Sequence, residues 1–562
     1  VTPQVIVVDA EYAAAVIGRA QIFMPLGDAA FIDALVQSYA FVTSLLHKDR
    51  TTIARLKRLF GITNNEKTDD VCPPSNPASG SNDAASSTTL LPANDDERTD
   101  GSSAGDEDAA DNGEDKTSPK GHGRIPAQAY PDARRVDVPH EKLHAGDECP
   151  CCARGKLFEM SEPSTIVRIF GQPPLAAAQW DCQRLRCGGC GGVFTAKAPE
   201  EAQGPKYDDT AASMMALMRY GTGMPLNRLA HLQKNMQTPV PASTQWEVVR
   251  DRAEDLQPVY DELVRRAAAG RVVHNDDTHA RILALMGERR DELVKAGALP
   301  DPERTGLFTT GVVADTGDGV IALFFTGRQY AGENLADVLA ERARELGPPI
   351  QMCDGLETRN APKGHDVVLA NCLCHGRRQF VDEANNFPAE CRHVLEELRI
   401  VFRIEAKCRR QRCTPEQRLA LHQRKSAPVM ERLRSWMNKE LDEKRVEPNS
   451  GLGKAFAYLL ARWGPLTRFL HVAGAPLENN ICERALKMAI RHRNNSLFYR
   501  SERGAAVGDL YMTLIHTAQL HSVNAFEYLT ALLRHAREVA EDPAAWLPWT
   551  FRASLATVRR AA

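Results

Sequence analysis

A mixed α/β core is the fold class that this 562-residue chain predicts, and three observations carry it. Runs rich in β-branched and aromatic residues recur after Arg271, bounded by Gly and Pro. An amphipathic helical pattern enters only after the third run. Acidic residues sit on or just after these runs, where a sheet would draw them together. With 43% hydrophobic and 25% charged residues the chain reads as mostly globular, and its length suggests several domains.

The N-terminal segment, residues 1–62, is expected to be helical or coiled-coil. Ile32, Tyr39, Leu46, Ile53 and Phe60 share one heptad position, and Leu35, Val42 and Leu56 share another, with Asp49 as the break. The pattern fits self-association and packing on the same chain equally well. Residues 63–125 follow as an acidic linker, rich in Ser, Asp, Asn and Gly and low in aromatics, which cannot bury enough apolar surface to fold. Residues 61–120 hold 14 Asp and Glu against 4 Lys and Arg, so the net charge of −3 hides a basic remainder able to engage phosphate. No basic n-region precedes an apolar core, and no run of about 18 apolar residues appears. A cytoplasmic, nucleoid-associated protein without a membrane span is therefore expected.

Residues 140–200 predict a zinc-binding domain. "CPCCARGKL" supplies Cys149 and Cys152, and "CGGCGGVF" supplies Cys187 and Cys190. Two CxxC pairs offer the four thiolates of a closed tetrahedral structural Zn²⁺ site. Cys151 is an alternative to Cys152, Cys182 reads as a spare thiol, and "STIVRIFG" and "QWDCQRLRC" read as strands between the pairs. Residues 205–270 predict helices broken by Gly and Pro, either a helix-turn-helix or a plain connector.

Residues 271–500 hold the predicted core. "RVVHNDDTHARILAL", "GLFTTGVVAD" and "GVIALFFTG" read as three strands, "ENLADVLAERAREL" as a helix, and "PPIQMCDG" and "DVVLANC" as further strands. This β-β-β-α-β-α-β order describes a mixed sheet of the ribonuclease-H-like kind. Asp276 on the first strand and Asp354 at the end of the fourth would lie side by side. Glu483, on the helical stretch "PLENNICERALKMAIRHRN", would close the cluster. On a helical wheel Asn480, Glu483, Arg484, Lys487 and Arg491 share one arc, opposite Ile481, Ala485, Met488 and Ala489. Singly, each acid has a plainer reading: Asp276 and Asp277 as a solvated strand end, Asp354 as a turn residue before Gly355, and Glu483 as the partner of Asn480 in a capping box. Together they form an oxygen-donor set for Mg²⁺ or Mn²⁺, since clustered carboxylates repel unless cations neutralise them. Asp354 and Glu483 stand 129 residues apart, which leaves room for a basic helical insertion at about 385–470 that is expected to contact DNA backbone, a charged solvated helix pair being its plainer reading. Cys372 reads as a core thiol, with His375 aiding the site or DNA; metal binding by the two is the alternative. Residues 501–562 predict a C-terminal helical segment.

From "RLKRLFG" to the C-terminus, the linker excepted, the chain resembles transposases of the insertion-sequence-66 family, the TnpC-type DDE enzymes of bacterial mobile elements. "HNDDTHARIL" resembles the family's first-Asp motif, and matching its Thr to Thr278 assigns the catalytic role to Asp276 rather than Asp277. "QMCDG" resembles the second, "NCLCHGRRQF" the Cys-x-x-His-x-Arg-Arg stretch, and "LENNICERAL…RHRNNSLF" the third, with Glu483 as the closing acid; "LPWTF" also fits. The chain departs in having Glu478 before Asn479-Asn480 where the family has Asp, and Arg491-His492-Arg493-Asn494 where it has Gly-Arg-Lys-Asn. The resemblance implies metal-dependent cleavage and strand transfer at terminal inverted repeats, with target DNA, a homo-oligomer and small accessory proteins as partners. Arg377, Arg378, Asn479, Asn480, Lys487, Arg491 and Arg493 are the expected DNA contacts. Another ribonuclease-H-like nuclease, of resolvase type, and a catalytically inactive DNA-binding relative are the alternatives.

Overall fold

A computed structural model describes residues 137–561 apart from 153, 161–165, 167, 170–171, 189, 191–192, 300 and 356. The heptad and the acidic linker lie outside the described residues. Two compact units contain the described chain, one ending at Pro173 and the other running from Pro174.

In the first unit Glu148 bridges to Lys156, and Cys149 N donates to Gly155 O at 2.7 Å, closing a tight turn around Cys149 and Cys152. Backbone amides of Arg154 and Gly155, then the Cys149 side chain, hold the Cys152 thiol below its ordinary pKa. In the second unit strands β1 (Arg184–Arg186) and β2 (Val193–Thr195) pair antiparallel, and the turn between them carries Cys187 and Cys190. β1 falls inside the expected "QWDCQRLRC" strand; the described residues of "STIVRIFG" form none.

Three helices follow: α1 (Asp209–Ala216), α2 (Leu226–Asn235) and α3 (Ala242–Ala268). Asp208 caps α1 by accepting from Ala211 N, which satisfies an amide that has no partner inside the helix. Leu256, Val259, Leu263 and Ala267 recur at helical spacing and form the buried stripe of α3. That stripe shares one hydrophobic core with Met215, Val313, Leu323 and Phe324. The helices expected as a separate segment are thus built into the core of the sheet.

The sheet has five strands: β3 (Val272–His279), β4 (Phe308–Asp315), β5 (Val320–Gly327), β6 (Ile350–Cys353) and β7 (Val368–Asn371). Helix α4 (Gly287–Lys295) lies between β3 and β4 in sequence, and α5 (Ala331–Ala340) crosses from β5 to β6. The spatial order is β5-β4-β3-β6-β7, antiparallel on the β5-β4-β3 side and parallel across β3-β6-β7. Gly317, at φ +86°, allows the turn between β4 and β5, where its own conformational freedom is needed. α5 is shorter than its sequence pattern. Arg342, just past its end, turns to donate to Ala268 O and Gly270 O at 2.6 and 2.8 Å, fastening the chain to the end of α3.

A second hydrophobic core lies among α6 (Leu373–Glu383), α7 (Pro388–Arg410), α8 (Pro415–Lys425), α9 (Ala427–Asp442) and α10 (Gly451–Ala461). Leu395, Leu398, Leu433, Phe456 and Leu459 are fully enclosed in it, so the expected insertion carries its own packing. α11 (Asn480–Ser496) then returns to the sheet against β3 and β4. No helix among the described residues is long and apolar enough to cross a membrane.

The C-terminal segment is more than an appendage. α12 (Glu502–Leu520) is buried over most of its length and lies along the edge strand β5. Thr517 Oγ1 accepts from Ala322 N at 3.1 Å, Thr513 Oγ1 from Phe324 N at 3.2 Å, and Asp509 from Thr326 N at 2.6 Å. Side chains thereby satisfy the alternate amides that an edge strand leaves unpaired. Burial pushes the Asp509 carboxyl up to about 7, against the Thr326 hydrogen bonds that lower it. Its folded-state pKa lies above the unfolded value of about 3.9, so the folded chain binds more protons between the two. Stability should therefore fall as pH rises from about 4 to 7. Asp509→Asn should flatten that slope in urea melts taken across the window.

Candidate active site

Three carboxylates converge at the middle of the sheet. β3 and β6 pair in parallel with Val272 opposite Ile350 and His274 opposite Met352. Carried two residues further, that register sets Asp276 abreast of Asp354, on strands about 4.8 Å apart. Glu483 comes from the first turns of α11. Its neighbour Cys482 donates from Sγ to Gly311 O at 3.3 Å, and Gly311 is the β4 partner of Asp276. A Cβ on Gly311 would stand 3.0 Å from Leu486 Cγ and 3.3 Å from Cys482 Sγ, so the bare glycine lets α11 approach the sheet beside Asp276. All three acids are half-buried. Burial, then the charges of Asp354 and Glu483, push Asp276 up to about 7. Burial also raises Glu483 above the usual carboxylate range.

Asp277 belongs to a different task. Neighbouring residues in a strand point to opposite faces. Asp277 accepts from Thr310 Oγ1 at 2.6 Å and from Ala331 N at 2.8 Å, which ties β3 to β4 and to the start of α5. The solvated-strand-end reading fails for both acids, because neither is exposed.

Two of the acids, Asp354 and Glu483, have side-chain supports. Asn360 Nδ2 donates to Asp354 Oδ1, and Asn371 Nδ2 donates to Asp354 O at 3.1 Å. Arg462 Nε donates to Gly355 O at 3.1 Å, and a Cβ on Gly355 would strike Arg462 and the Tyr458 hydroxyl, both at 2.6 Å. His375 Nε2, from the first turn of α6, stands 3.8 Å from Glu483 Oε1. The buried Cys372 thiol is held well below its ordinary pKa by Cys374 and then by His375, and Cys372 in turn raises His375. Cys372 is thus a core thiol, as its sequence suggests, but a polar one.

The start of α11 departs from the capping-box expectation. Asn479 is the N-cap and Asn480 the first helical residue, so Glu483 stands one place beyond the position that reaches back to the cap. Asn479 is fully buried: its Oδ1 meets His274 Nδ1 at 3.0 Å, its Nδ2 donates to Asn275 O at 3.2 Å, and its N donates to Cys372 Sγ at 3.2 Å. Its expected DNA contact is therefore replaced by a role in fastening α11 to β3. Asn480 donates to Glu478 Oε2 at 2.9 Å. Arg493 donates to Thr278 Oγ1 at 3.0 Å and to His279 O, and Arg491 donates to Gly221 O at 3.2 Å, so these two arginines also bind their own chain. Lys487 and Arg378 are exposed, and the Arg378 charge lowers the pKa of Glu483. Arg377 is half-buried on the same helix.

Residues 385–470 hold 18 Lys and Arg against 10 Asp and Glu, and part of that excess is committed within the chain. Arg409 pairs with Glu405 and Glu478 at 3.1 and 2.9 Å; Arg418 pairs with Glu405 at 2.7 Å and donates to Ala475 O at 2.8 Å. His422 Nε2 meets Glu405 at 3.0 Å. This buried cluster braces the 475–478 loop that leads into α11. Arg403, Lys407, Arg410, Arg412, Arg424 and Lys425 are exposed. His274, Gly311, Asn360, Asn371 and the Glu405 cluster were missed by sequence reading, because no local pattern marks a residue whose partner lies far along the chain.

The donor sets can be weighed chemically. Asp276, Asp354 and Glu483 offer hard oxygen ligands whose mutual repulsion a divalent cation would relieve, which suits Mg²⁺ or Mn²⁺. Cys372, His375 and Glu483 also place ligand atoms within 4.8 Å of one another, a softer set. Glu405, Cys408 and His422 do the same, but Arg409 and Arg418 already neutralise Glu405.

Fold and site together define a mixed α/β protein with a half-buried carboxylate cluster at the centre of its sheet. The chain belongs to the IS66 family of transposases, whose family model, "Transposase IS66 family", matches residues 207–507. It is similar to three uncharacterized proteins of Sinorhizobium fredii (strain NBRC 101917 / NGR234). To y4jD it is 26% identical over 424 residues, 72% of this chain and 78% of that one. To y4hP it is 26% identical over 439 residues, 74% and 75% of the two chains. To y4qI it is 26% identical over 353 residues, 60% and 61%. No solved structure matches the chain.

Proposed function

We propose that this protein is a DDE-type DNA transposase with a ribonuclease-H-like core, in which Asp276, Asp354 and Glu483 are the catalytic carboxylates. The observation that carries the reading is the β3–β6 register, which sets Asp276 beside Asp354 while Gly311 admits the helix bearing Glu483. The strand order and family membership support it. The carboxylates would hold Mg²⁺ or Mn²⁺, which when bound supplies charge neutralisation at the attacking and leaving oxygens of an in-line displacement. His375 restrains Glu483. Arg377, Arg378, Lys487 and the exposed cations of the insertion hold backbone phosphates of the element end and of target DNA. In the first step water displaces the 3′ oxygen of a phosphodiester at the inverted repeat. In the second the freed 3′-OH displaces a target phosphodiester oxygen. A homo-oligomer aligns the two ends, and element-encoded accessory proteins assist.

The test is cleavage by the full chain of a duplex carrying the terminal inverted repeat, with Mg²⁺. Nicking at the element boundary that leaves a 3′-OH is expected. Cutting of junctions or RNA–DNA hybrids in preference to ends would overturn the assignment.

Structural Zn²⁺ on Cys149, Cys152, Cys187 and Cys190 is part of the proposal, supported by the paired spacing. About one zinc per chain is expected in metal analysis of protein purified without chelator. Cys187→Ser with Cys190→Ser should abolish it and leave Mg²⁺-dependent chemistry on pre-nicked DNA measurable; unchanged zinc content would refute the site.

A further inference from the structure

Leu497 and Phe498 end α11 in an arrangement that hydrophobic side chains ordinarily avoid. They are 55% and 41% exposed. Leu497 has φ 68° and ψ −40°, and Phe498 N donates to Ser496 O at 2.8 Å. A bond closing over one central residue at positive φ makes this close to a γ-turn of the rare, strained kind. Such strain persists where the surroundings over-determine it, and it clusters at functional sites.

Those surroundings are rigid. Leu497 N donates to Arg493 O at 2.9 Å, Tyr499 N to Arg281 O at 2.8 Å, and Leu283 N to Tyr499 O at 2.9 Å. Tyr499 is buried and stacks on His492 at 4.4 Å between ring centroids. The tip therefore cannot fold back to cover its two apolar side chains. It is set beside exposed polar and cationic residues: Asn494, Arg500 and Arg281. Arg493, one turn back, bonds Thr278, two residues from Asp276 on the same strand. A stable contact with another protein needs about 800 Å² per partner, which two side chains do not supply. A base step flanked by phosphates matches an apolar pair flanked by cations.

We infer that Leu497 and Phe498 form an apolar wedge that enters the base stack of the bound DNA near the cleaved phosphodiester. The inference rests on the transposase reading for where the wedge acts. Glu483 and Leu497 are 14 residues apart on one helix, about 21 Å at 1.5 Å per residue. At about 3.4 Å per base pair, the disturbed step lies within about six pairs of the cut.

The experiment uses the full chain and inverted-repeat duplexes bearing 2-aminopurine at each of the eight positions on either side of the cleavage site, without divalent metal. Wild type should raise fluorescence severalfold at one position within about six pairs. Phe498→Ala should lose that rise, and Phe498→Trp should keep it. With Mg²⁺, Phe498→Ala should slow nicking about tenfold on intact duplex. An abasic residue at the responsive position should restore the rate, which a merely structural defect would not allow. Because the fluorescence needs binding alone, a rise without cleavage would sink the transposase reading and keep the wedge. Cleavage by wild type with no responsive position would overturn the wedge. So would an unchanged signal in Phe498→Ala, or a change confined to oligomeric state in sedimentation.

Discussion

Glu483→Gln should abolish Mg²⁺-dependent nicking of element-end DNA, by more than about a hundredfold, while leaving affinity for that DNA unchanged or slightly raised. Loss of an outer partner of a metal ligand already costs about 10–100-fold, and a direct ligand should cost more. Glutamine keeps the volume of Glu483 and its place on α11, so packing of Cys482 and Leu486 on Gly311 is undisturbed. It removes the negative charge that Asp276 and Asp354 otherwise face. Affinity should hold because the exposed cations Arg378 and Lys487 remain and one repulsive charge leaves the surface. Gel analysis of nicked product and fluorescence anisotropy of labelled DNA read the two quantities separately. Equal losses in both, or loss of binding alone, would favour a non-enzymatic DNA-binding protein.

Glu405→Ala should cost about 3–5 kcal/mol of folding stability, the range for removing one member of a buried ion pair. Glu405 is 5% exposed and meets Arg409, Arg418 and His422 together. Burial alone would raise its pKa; the His422 hydrogen bond and the charges of Arg418 and Arg409 overcome that and pull it down to about 2. The sign follows from linkage. A depressed carboxylate stabilises the fold above its unfolded pKa of about 4.3, and the contribution drains away as pH falls towards about 2. Urea melts of wild type should therefore weaken across that interval, and the slope should be shallower in Glu405→Ala. The loss should also reach the active site, because Arg409 and Arg418 hold Glu478 and Ala475 just before α11. Equal midpoints for wild type and variant at pH 7 would refute the brace.

Much of the core was legible because its signals are local. Strand runs after Arg271 and the amphipathic run before β6 appear in the order the alternation implies. The helical wheel placed Ala485, Met488 and Ala489 on the buried face of α11, where they are found. Other readings failed where the deciding partner is remote. Asn479 looks like one more polar residue facing outward, yet His274 and Asn275 enclose it. Arg493 looks like a free cation, yet Thr278 and His279 take its donors. The insertion looks uniformly basic, yet Arg409 and Arg418 serve Glu405. α12 reads as an ordinary terminal helix, and nothing near it in sequence announces that Thr513, Thr517 and Asp509 finish the edge of β5.

The sequence by itself determined the order of the strands, the crossover helix after β5 and which acids could meet, since periodicity and turn residues act over a few positions; it did not show α4 between β3 and β4. Only the tertiary structure decided that Asp277 is tied to Thr310 and Ala331, and which charged side chains are spent within the chain. Those outcomes depend on strand register, on the close approach that Gly311 permits, and on contacts between residues more than a hundred positions apart, none of which a local pattern encodes.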